Sequence, residues 1–281
     1  MMLVRFWGVR GSIPTPGPQT AGIGGNTSCV EVRAGGRILI FDGGTGLRPL
    51  GNSLLKELPI EAWIFFSHVH WDHIQGFPFF TPAFIKGNKI HLHGGHKVSG
   101  TLEETLAGQM ENPSFPVHLS EMGAQMSFHD LFEGQVLEIP AVDGSGVVRI
   151  SNTRGNHPGG VYAYRVDYQG HSVMYATDTE HYSIVDPKLK RLANGVDVLI
   201  YDSQYTPEEY AGEIGGPKTG WGHSTFAAAV ELAKAANAKQ LVLYHHDPGQ
   251  DDAAVRVKEQ RAQAVYGNAI AAYEGLKIEL G

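Results

Sequence analysis

Four side chains that can bind metal ions follow directly after one apolar run. The run is residues 61–66 (EAWIFF), and the stretch behind it contains His68, His70, Asp72 and His73. His68 and His70 are two residues apart, so an extended backbone points both of them toward one ion. Asp72 and His73 lie past the bend and can reach a second ion. Two divalent ions about 3.5–4 Å apart clamp a phosphoryl group and share a nucleophilic hydroxide, so the spacing predicts a two-metal hydrolytic site.

The balance of histidine and cysteine limits the kind of metal site. The chain contains 14 histidines and a single cysteine, Cys29. One cysteine excludes an intramolecular disulfide framework and a cysteine-cluster metal site. Imidazole and carboxylate ligands favour borderline-hard divalent ions. We therefore expect two divalent metal ions, with zinc as the first choice and manganese or iron as alternatives.

The charge distribution and the apolar segments bear on partners and location. The 281 residues carry 22 Lys and Arg against 29 Asp and Glu, which gives a formal net charge of −7. Nucleic-acid binding depends on clustered Lys and Arg, so this charge argues against a large polyanionic partner. No segment reaches the ~18 apolar residues of a membrane helix, and residues 1–11 lack a signal-peptide core. We expect a soluble, cytoplasmic protein without a membrane partner.

Short apolar runs separated by Gly, Pro and Asn predict many strands and a few helices. Strands are expected at residues 3–9, 28–34, 37–42, 61–66, 135–139, 147–151, 161–167, 172–176, 197–201 and 240–244, and around Leu92. Helices are expected at residues 47–58, from Ser224 to about Ala236, and over about residues 251–275, where apolar residues form one face. Buried strands between helices predict an α/β fold with sheets covered by helices.

One region stands apart from this pattern. Residues 82–134 are the least regularly patterned part of the chain, and no internal repeat or low-complexity linker marks a domain boundary. We therefore expect a single domain over residues 1–281. Within it, residues 82–134 are a candidate cap or dimerisation insertion, and so a candidate interface of a homodimer.

The order His-X-His-X-Asp-His behind a buried strand resembles the signature of the metallo-β-lactamase fold hydrolases. Three further stretches resemble later motifs of that family: residues 156–160 (NHPGG), 175–179 (YATDT) and 241–245 (LVLYH). The resemblance implies a four-layer αββα sandwich, two mixed β-sheets flanked by helices. It also implies that one ion takes His68, His70 and His157, the other takes Asp72, His73 and His245, and Asp178 bridges them.

One branch of that family matches more closely. Residues 222–225 (GHST), at the start of a predicted helix, resemble a motif of the tRNA 3′-processing endonucleases (RNase Z) and related phosphodiesterases. Residues 24–28 (GGNTS) and 42–44 (DGG) also match this branch, as structural loops near the site. The resemblance implies a phosphodiesterase in which a metal-bridged hydroxide attacks and His223 protonates the leaving oxygen as general acid. Asp72 is the candidate acceptor of the nucleophile's proton.

Several other histidines have more than one interpretation. His246 is next to His245, and neighbouring residues of a strand face opposite sides, so the family register favours His245 as the ligand. His91, His93 and His96 could form a third cluster. Because seven ligands are already assigned, we expect these three to face solvent or to lie outside the ligand shell.

The substrate is inferred from what lies between two motifs. The tRNA 3′ endonucleases carry a long basic arm between the third histidine motif and the bridging aspartate, whereas Asp178 follows His157 by only 21 residues. With the net charge, this predicts a small phosphodiester substrate, a 3′,5′-cyclic nucleotide (cAMP or cGMP), and argues against tRNA. The alternatives are a tRNA 3′ endonuclease, a non-phosphoester hydrolase of the same fold, and a metal-binding protein without hydrolytic activity. Trp221 could stack on a nucleobase or pack within its Gly-rich loop.

Overall fold

Two mixed seven-stranded sheets form the centre of the protein, in a computed structural model that describes residues 1–95 and 100–281. The strands are β1 Met2–Gly8, β2 Cys29–Ala34, β3 Arg37–Phe41, β4 Glu61–Phe65, β5 Lys89–Gly95, β6 Gln125–Leu131, β7 Val136–Pro140, β8 Val147–Gly155, β9 Val161–Tyr168, β10 His171–Ala176, β11 Val198–Asp202, β12 Gln240–Tyr244, β13 Ala269–Ala271 and β14 Lys277–Leu280. The first sheet has the order β14-β1-β2-β3-β4-β5-β6. The second has the order β13-β12-β11-β10-β9-β8-β7.

The described residues form seven α-helices, and four of them pack on the outer faces of the sheets. The seven helices are α1 Leu47–Leu54, α2 Trp71–Ile74, α3 Leu102–Gly108, α4 Pro187–Ala193, α5 Pro207–Ala211, α6 Phe226–Ala235 and α7 Asp252–Gln263. One apolar cluster joins α1 and α3 to the first sheet, another joins α4 and α6 to the second, and a third fills the space between the sheets. These three cores separate four layers, which confirms the predicted αββα sandwich. Among the described residues, no helix has the length and apolar character needed to cross a membrane.

The ends of parallel strands explain where functional groups gather. Strand β4 runs parallel to β3, and β10, β11 and β12 run parallel to one another. The carboxyl ends of neighbouring parallel strands lie at the same edge of a sheet. Asp42 therefore follows β3 beside the His68 loop that follows β4. In the second sheet, Asp178, Asp202 and His245 stand at or just past the ends of β10, β11 and β12.

The predicted last helix is wrong in its second half. Helix α7 ends at Gln263, and the chain then forms β13 and β14, which join the second and first sheets respectively. Val265, expected on the buried face, is 57% exposed. Gly267 and Gly275 interrupt the pattern, and the positive φ of Gly275 is a conformation that does not continue a helix. Ala269, Ala271, Ala272 and Leu276 are nevertheless buried, because the chain beyond Gln263 packs along the sheets.

The structure corrects the prediction for residues 82–134 in part. Strands β5 and β6 lie in this segment, and β5 pairs with β4 on one side and with β6 on the other. These strands are part of the first sheet rather than a cap attached to it, because their backbone groups complete its hydrogen bonding. The single domain over residues 1–281 and the homodimer stay predictions.

A buried lysine links α7 to the end of β11. Lys258 is fully buried, and its Nζ donates to the carbonyl of Ser203 (2.6 Å), to the carbonyl of Gln204 (3.4 Å) and to Oε1 of Gln250 (2.8 Å). We expect Lys258→Met to lower the free energy of unfolding by roughly 3 kcal/mol, since three buried acceptors lose their hydrogen-bond donor. Urea denaturation measures this change. Lys234→Met, at an exposed position of α6, is the matched control, and an equal effect in both variants would contradict the prediction.

Candidate metal and catalytic site

The seven predicted ligands come together at one edge of the two sheets. They fall into two groups, and within each group the candidate ligand atoms lie within 4.8 Å of one another. The first group is His68, His70 and His157, and the second is Asp72, His73, Asp178 and His245. Helix α2 starts directly after His70, and its first turn carries Asp72 and His73 back toward the cluster. The structure thus assembles the residues as the resemblance implies, and their role as ligands stays a prediction.

Asp178 lies between the two groups. Its Oδ2 is 3.7 Å from Nε2 of His68 and 4.0 Å from Nε2 of His157. Its Oδ1 is 3.3 Å from Nε2 of His73 and 3.2 Å from Nε2 of His245. One carboxylate oxygen therefore faces each group, which is the arrangement that a bridging ligand requires.

Hydrogen bonds outside the cluster fix how four of the histidine rings face it. The Nδ1 atoms contact Oγ of Ser67 (His68, 3.0 Å), Asp42 (His73, 2.8 Å), the carbonyl of Gly222 (His157, 2.8 Å) and Oε1 of Gln204 (His245, 2.9 Å). Such outer contacts set the tautomer and leave Nε2 free for a metal. Among the described residues, the buried Nε2 atoms of His68 and His73 have no hydrogen-bond partner. The donor set therefore fits divalent metal ions bound by nitrogen and oxygen.

The charges in the cluster also suit metal ions. Burial and the neighbouring charge of His73 lower the pKa of His68 well below its usual value, which favours the neutral ring that a metal needs. Burial would also lower the pKa of His73, but the carboxylates of Asp178, Asp72 and Asp42 outweigh it and raise the pKa well above its usual value. A metal ion must displace that proton, so metal affinity should fall with falling pH.

Asp42 holds residues of this cluster in place through hydrogen bonds. It accepts hydrogen bonds from the backbone N–H and Oγ of Ser67 (both 2.7 Å) and from Oη of Tyr175 (2.7 Å), besides its contact with His73. A β-carbon at Gly44 would lie 2.2 Å from the carbonyl oxygen of Asp72, so the backbone approach requires glycine there. The residues 42–44 loop therefore lies beside the site, as expected, and Asp42 orients His73.

His223 stands beside the cluster on the second sheet's side. Its Nδ1 is 3.0 Å from Oδ2 of Asp202 and 3.9 Å from Oδ2 of Asp178. Burial would lower the pKa of His223, but the charges of Asp202, Asp178 and Asp72 outweigh it and raise the pKa to about 9. His223 also belongs to a third group of metal-competent atoms, together with Asp178, Asp202 and His245.

Sequence reasoning missed Asp202 and Gln204. Asp202 also accepts hydrogen bonds from the backbone N–H groups of Thr179, Gln204 and Ser224, so it ties three segments to His223. A signal existed, since Asp202 ends an apolar run just as Asp178 follows one. Gln204 had no signal of its own, because an isolated glutamine after a strand has no chemical pattern.

The choice between His245 and His246 follows the expected register. Nε2 of His245 is 3.2 Å from Oδ2 of Asp72, inside the cluster. Nε2 of His246 instead donates to the carbonyl of Ala272 at 2.9 Å. The two rings face opposite sides, so only His245 can reach the candidate metals.

The other histidine cluster has a structural environment. His91 contacts Oγ of Ser127 through Nδ1 (2.8 Å), and His93 stacks between the rings of Phe65 (4.9 Å) and His129 (4.6 Å). Among the described residues, neither His91 nor His93 belongs to a group of converging metal-competent atoms. The third member of the predicted cluster, His96, lies outside the described residues.

Glu180 holds the loop that precedes His223. Its Oε1 accepts from the N–H of Gly220 (2.7 Å) and from Oη of Tyr210 (2.6 Å), and its Oε2 accepts from the N–H of Gly222 (2.9 Å). Gly222 has a φ of 86°, and a β-carbon there would lie 2.1 Å from Nδ1 of His157. The loop therefore fits against His157 only with glycine at this position and with its two amides fixed by Glu180.

We expect Glu180→Gln to lower kcat about 10-fold, as outer-shell substitutions at metal sites do. The glutamine amide group would face a backbone N–H that now donates to a carboxylate, and the loop carrying His223 would loosen. Metal content should stay unchanged. The matched control, Tyr210→Phe, removes one hydroxyl donor and leaves both amide bonds, so its loss of kcat should be smaller. A wild-type kcat in Glu180→Gln would contradict this role.

Similarity to known proteins shows the family to which this chain belongs. A family model described as the Beta-lactamase superfamily domain matches residues 37–246, more than half of the chain. This chain belongs to the beta-lactamase superfamily. With its converging histidines and aspartates, it is a metal-dependent hydrolase of the metallo-β-lactamase fold.

Relatives of this beta-lactamase superfamily member match it along nearly its whole length. A protein named Ribonuclease Z from Thermococcus sibiricus is 26% identical over 287 residues, covering 88% of this chain and 87% of its own. The metallo-beta-lactamase fold protein YhfI from Bacillus subtilis aligns over 99% of both chains with a TM-score of 0.71 and 19% identity. Human tRNase Z, short form, aligns over 99% of both chains with a TM-score of 0.62 and 20% identity. At these identities the solved structures support the shared fold.

These relatives overturn the prediction against tRNA. A protein named Ribonuclease Z and a protein named tRNase Z share this superfamily member's sequence or fold over most of its length. The prediction rested on the net charge of the whole chain and on the missing arm between His157 and Asp178. Neither the net charge nor the missing arm describes the surface around the candidate site, so neither excludes an RNA substrate. None of the names of these relatives mentions cyclic nucleotides, so the predicted hydrolysis of cAMP or cGMP gains no support.

Proposed function

We propose that this protein is a phosphodiesterase that uses two divalent metal ions to cleave RNA endonucleolytically, with the 3′ ends of tRNA precursors as the first substrate class to test. The observation that carries the proposal is the His223–Asp202 pair, 3.0 Å apart and next to Asp178. A proton donor beside a metal cluster suits a reaction whose leaving group is a poor one. The relatives named Ribonuclease Z support RNA over other phosphodiesters.

The chain's own residues divide the work at a phosphodiester. When bound, the metal ions neutralise the phosphate oxygens and bring the pKa of water near neutrality. Asp202 accepts from Nδ1 of His223, so Nε2 is the atom through which His223 donates a proton to the leaving alkoxide oxygen. Asp72 is positioned to take up the proton of the nucleophile, and the N–H of Ser12 holds its Oδ2 at 2.7 Å.

The native metal is part of the proposal. The ligand set of imidazoles and carboxylates without a thiolate suits zinc first, with manganese and iron as alternatives. Protein freed of metal and reloaded with each ion in turn, with the metal content measured on the same sample, would identify the ion that restores activity.

One screen tests the substrate. The metal-loaded protein would be offered a tRNA precursor with a 3′ trailer, cAMP, cGMP, bis(p-nitrophenyl) phosphate, a thioester and a lactam. We expect cleavage of the precursor at its 3′ side and hydrolysis of the activated diester. Turnover of cAMP or cGMP without RNA cleavage would overturn the RNA assignment and keep the phosphodiesterase. Activity on the thioester or lactam alone would overturn both.

A further inference from the structure

The tryptophans of this protein differ sharply in exposure. The chain has four. Trp63 is buried in the core between the sheets, and Trp7 is half-buried with its Nε1 donating to Glu31 at 2.9 Å. Trp71 is 81% exposed and Trp221 is 57% exposed. Single exposed apolar side chains are common, so exposure alone carries no argument. The position of Trp71 and Trp221 next to the candidate site is the informative observation.

Both exposed tryptophans directly adjoin the candidate site. Trp71 stands between His70 and Asp72, and Trp221 directly precedes Gly222 and His223. One imidazole connects the two segments: Nε2 of His157 is 3.1 Å from Nδ1 of His70, and its Nδ1 is 2.8 Å from the carbonyl of Gly222. The two exposed indole side chains therefore belong to segments on either side of His157.

The backbones that carry the two indoles are held in place. Trp71 is the first residue of α2, which continues into the buried Asp72 and His73. Trp221 lies between the two glycine amides that Glu180 holds. A rigid backbone under an exposed aromatic ring reduces the entropy lost when a ligand binds to that ring.

The charge beside Trp221 also has the sign that a nucleic acid requires. Nζ of Lys218 lies 4.4 Å from the centre of the Trp221 ring and 5.8 Å from that of Tyr205. Strand-binding grooves of nucleic-acid proteins combine such cations, which attract phosphates, with aromatic rings, on which bases stack. A lysine beside an exposed indole next to a phosphodiester site reproduces that pairing.

We propose that Trp71 and Trp221 are base-stacking residues, each taking one of the two nucleobases that flank the scissile phosphodiester. This inference rests on the proposed RNA cleavage. Every internal phosphodiester of an RNA has one base on each side, and the two segments flanking His157 offer one flat aromatic surface each. Stacking is tolerant of sequence, since every base has an aromatic face. The site would therefore select unpaired nucleotides around the cleaved bond rather than a particular sequence.

Substrates that lack one base test the assignment. Trp71→Ala and Trp221→Ala would each be assayed on a short single-stranded RNA cut at one known bond, and on two versions with an abasic residue on one side of it. We expect each variant to lose roughly 5- to 100-fold in kcat/KM on the intact RNA, mainly through KM. Each loss should disappear on one of the two abasic substrates. Trp71→Phe and Trp221→Phe keep an aromatic face and should retain most of the activity.

A binding measurement separates this inference from the proposed function. Fluorescence anisotropy of the labelled RNA would be followed in a His223→Ala background, and metal content would be measured for every protein. Val142→Ala is the matched control, because Val142 is exposed at the opposite end of the sheets, beside the turn at Gly36. If wild type cleaves the RNA and the tryptophan variants lose the same factor in kcat/KM on intact and abasic substrates, the stacking assignment is wrong. If wild type neither binds nor cleaves RNA, the proposed function fails and the inference with it.

Discussion

Asp178→Asn is expected to remove most of the activity of this protein. Its two oxygens face the two groups of candidate ligands, at 3.2–3.3 Å from His73 and His245 and at 3.7–4.0 Å from His68 and His157. The asparagine side chain has no negative charge and only one acceptor oxygen. Several kcal/mol of charge stabilisation in the transition state depend on both ions, so kcat/KM should fall roughly 1,000-fold or more. Metal content should fall below two ions per chain.

Asparagine is the informative replacement at this position. Asp178 has a φ of 50°, in the left-handed region that asparagine tolerates and most other residues do not. The backbone should therefore survive the change, and the loss can be ascribed to the carboxylate. Elemental analysis and steady-state kinetics on the activated diester measure the two effects. Asp143→Asn, at an exposed turn, serves as control. Two ions and normal kinetics in Asp178→Asn would show that Asp178 does not bridge.

His223→Ala is expected to lower kcat on RNA roughly 100- to 10,000-fold, the usual contribution of a general acid. Metal content should be unchanged, because the seven other residues supply the ligands. On bis(p-nitrophenyl) phosphate the loss should be much smaller, since p-nitrophenolate leaves without needing a proton. Comparing both substrates with both proteins measures the role directly. Loss of a metal ion in this variant would show that His223 is a ligand, as its place in the third group of converging atoms allows.

The pH dependence of activity is a second test of His223 as general acid. The carboxylate of Asp202 helps to raise the pKa of His223 to about 9 against the effect of burial. A general acid must be protonated, so activity should decline as pH rises through the pKa of His223 in the metal-loaded protein, where ions bound by Asp178 and Asp72 offset part of the carboxylate charge. Asp202→Asn removes the charge that raises the pKa, and the decline should then begin at lower pH. An unchanged alkaline limb in Asp202→Asn would mean that another group sets it.

The parts of the site that could be predicted are those written within a few neighbouring residues. His68, His70, Asp72 and His73 lie on one strand end and one helical turn, so their spacing alone brings them together. His157, Asp178 and His245 were placed through a family resemblance, because no local pattern shows which strand ends meet. Asp202 and Glu180 act through contacts 21 and 40 residues away in sequence, and such contacts are visible only in the fold.

The fold shows the same division. Buried strands such as β4, β11 and β12 were predicted because unbroken apolar runs have few other interpretations. β6 was missed, because it lies at the edge of the first sheet and its side chains are only partly buried. The end of α7 was overestimated because alanines and valines fit a helix face and a short strand equally well. The error over tRNA arose from treating a total charge as a local one.

The division of the ligands between the two sheets has a consequence for assembly. His68, His70, Asp72 and His73 follow a strand of the first sheet, whereas His157, Asp178 and His245 follow strands of the second. Neither half of the sandwich contains all seven candidate ligands, so binding of two ions as proposed would be thermodynamically linked to the closed interface between the sheets. Each ion held in this way would stabilise the closed interface by mass action, and loss of metal would weaken the contact between the sheets. The candidate site would therefore also hold the two sheets of the sandwich together.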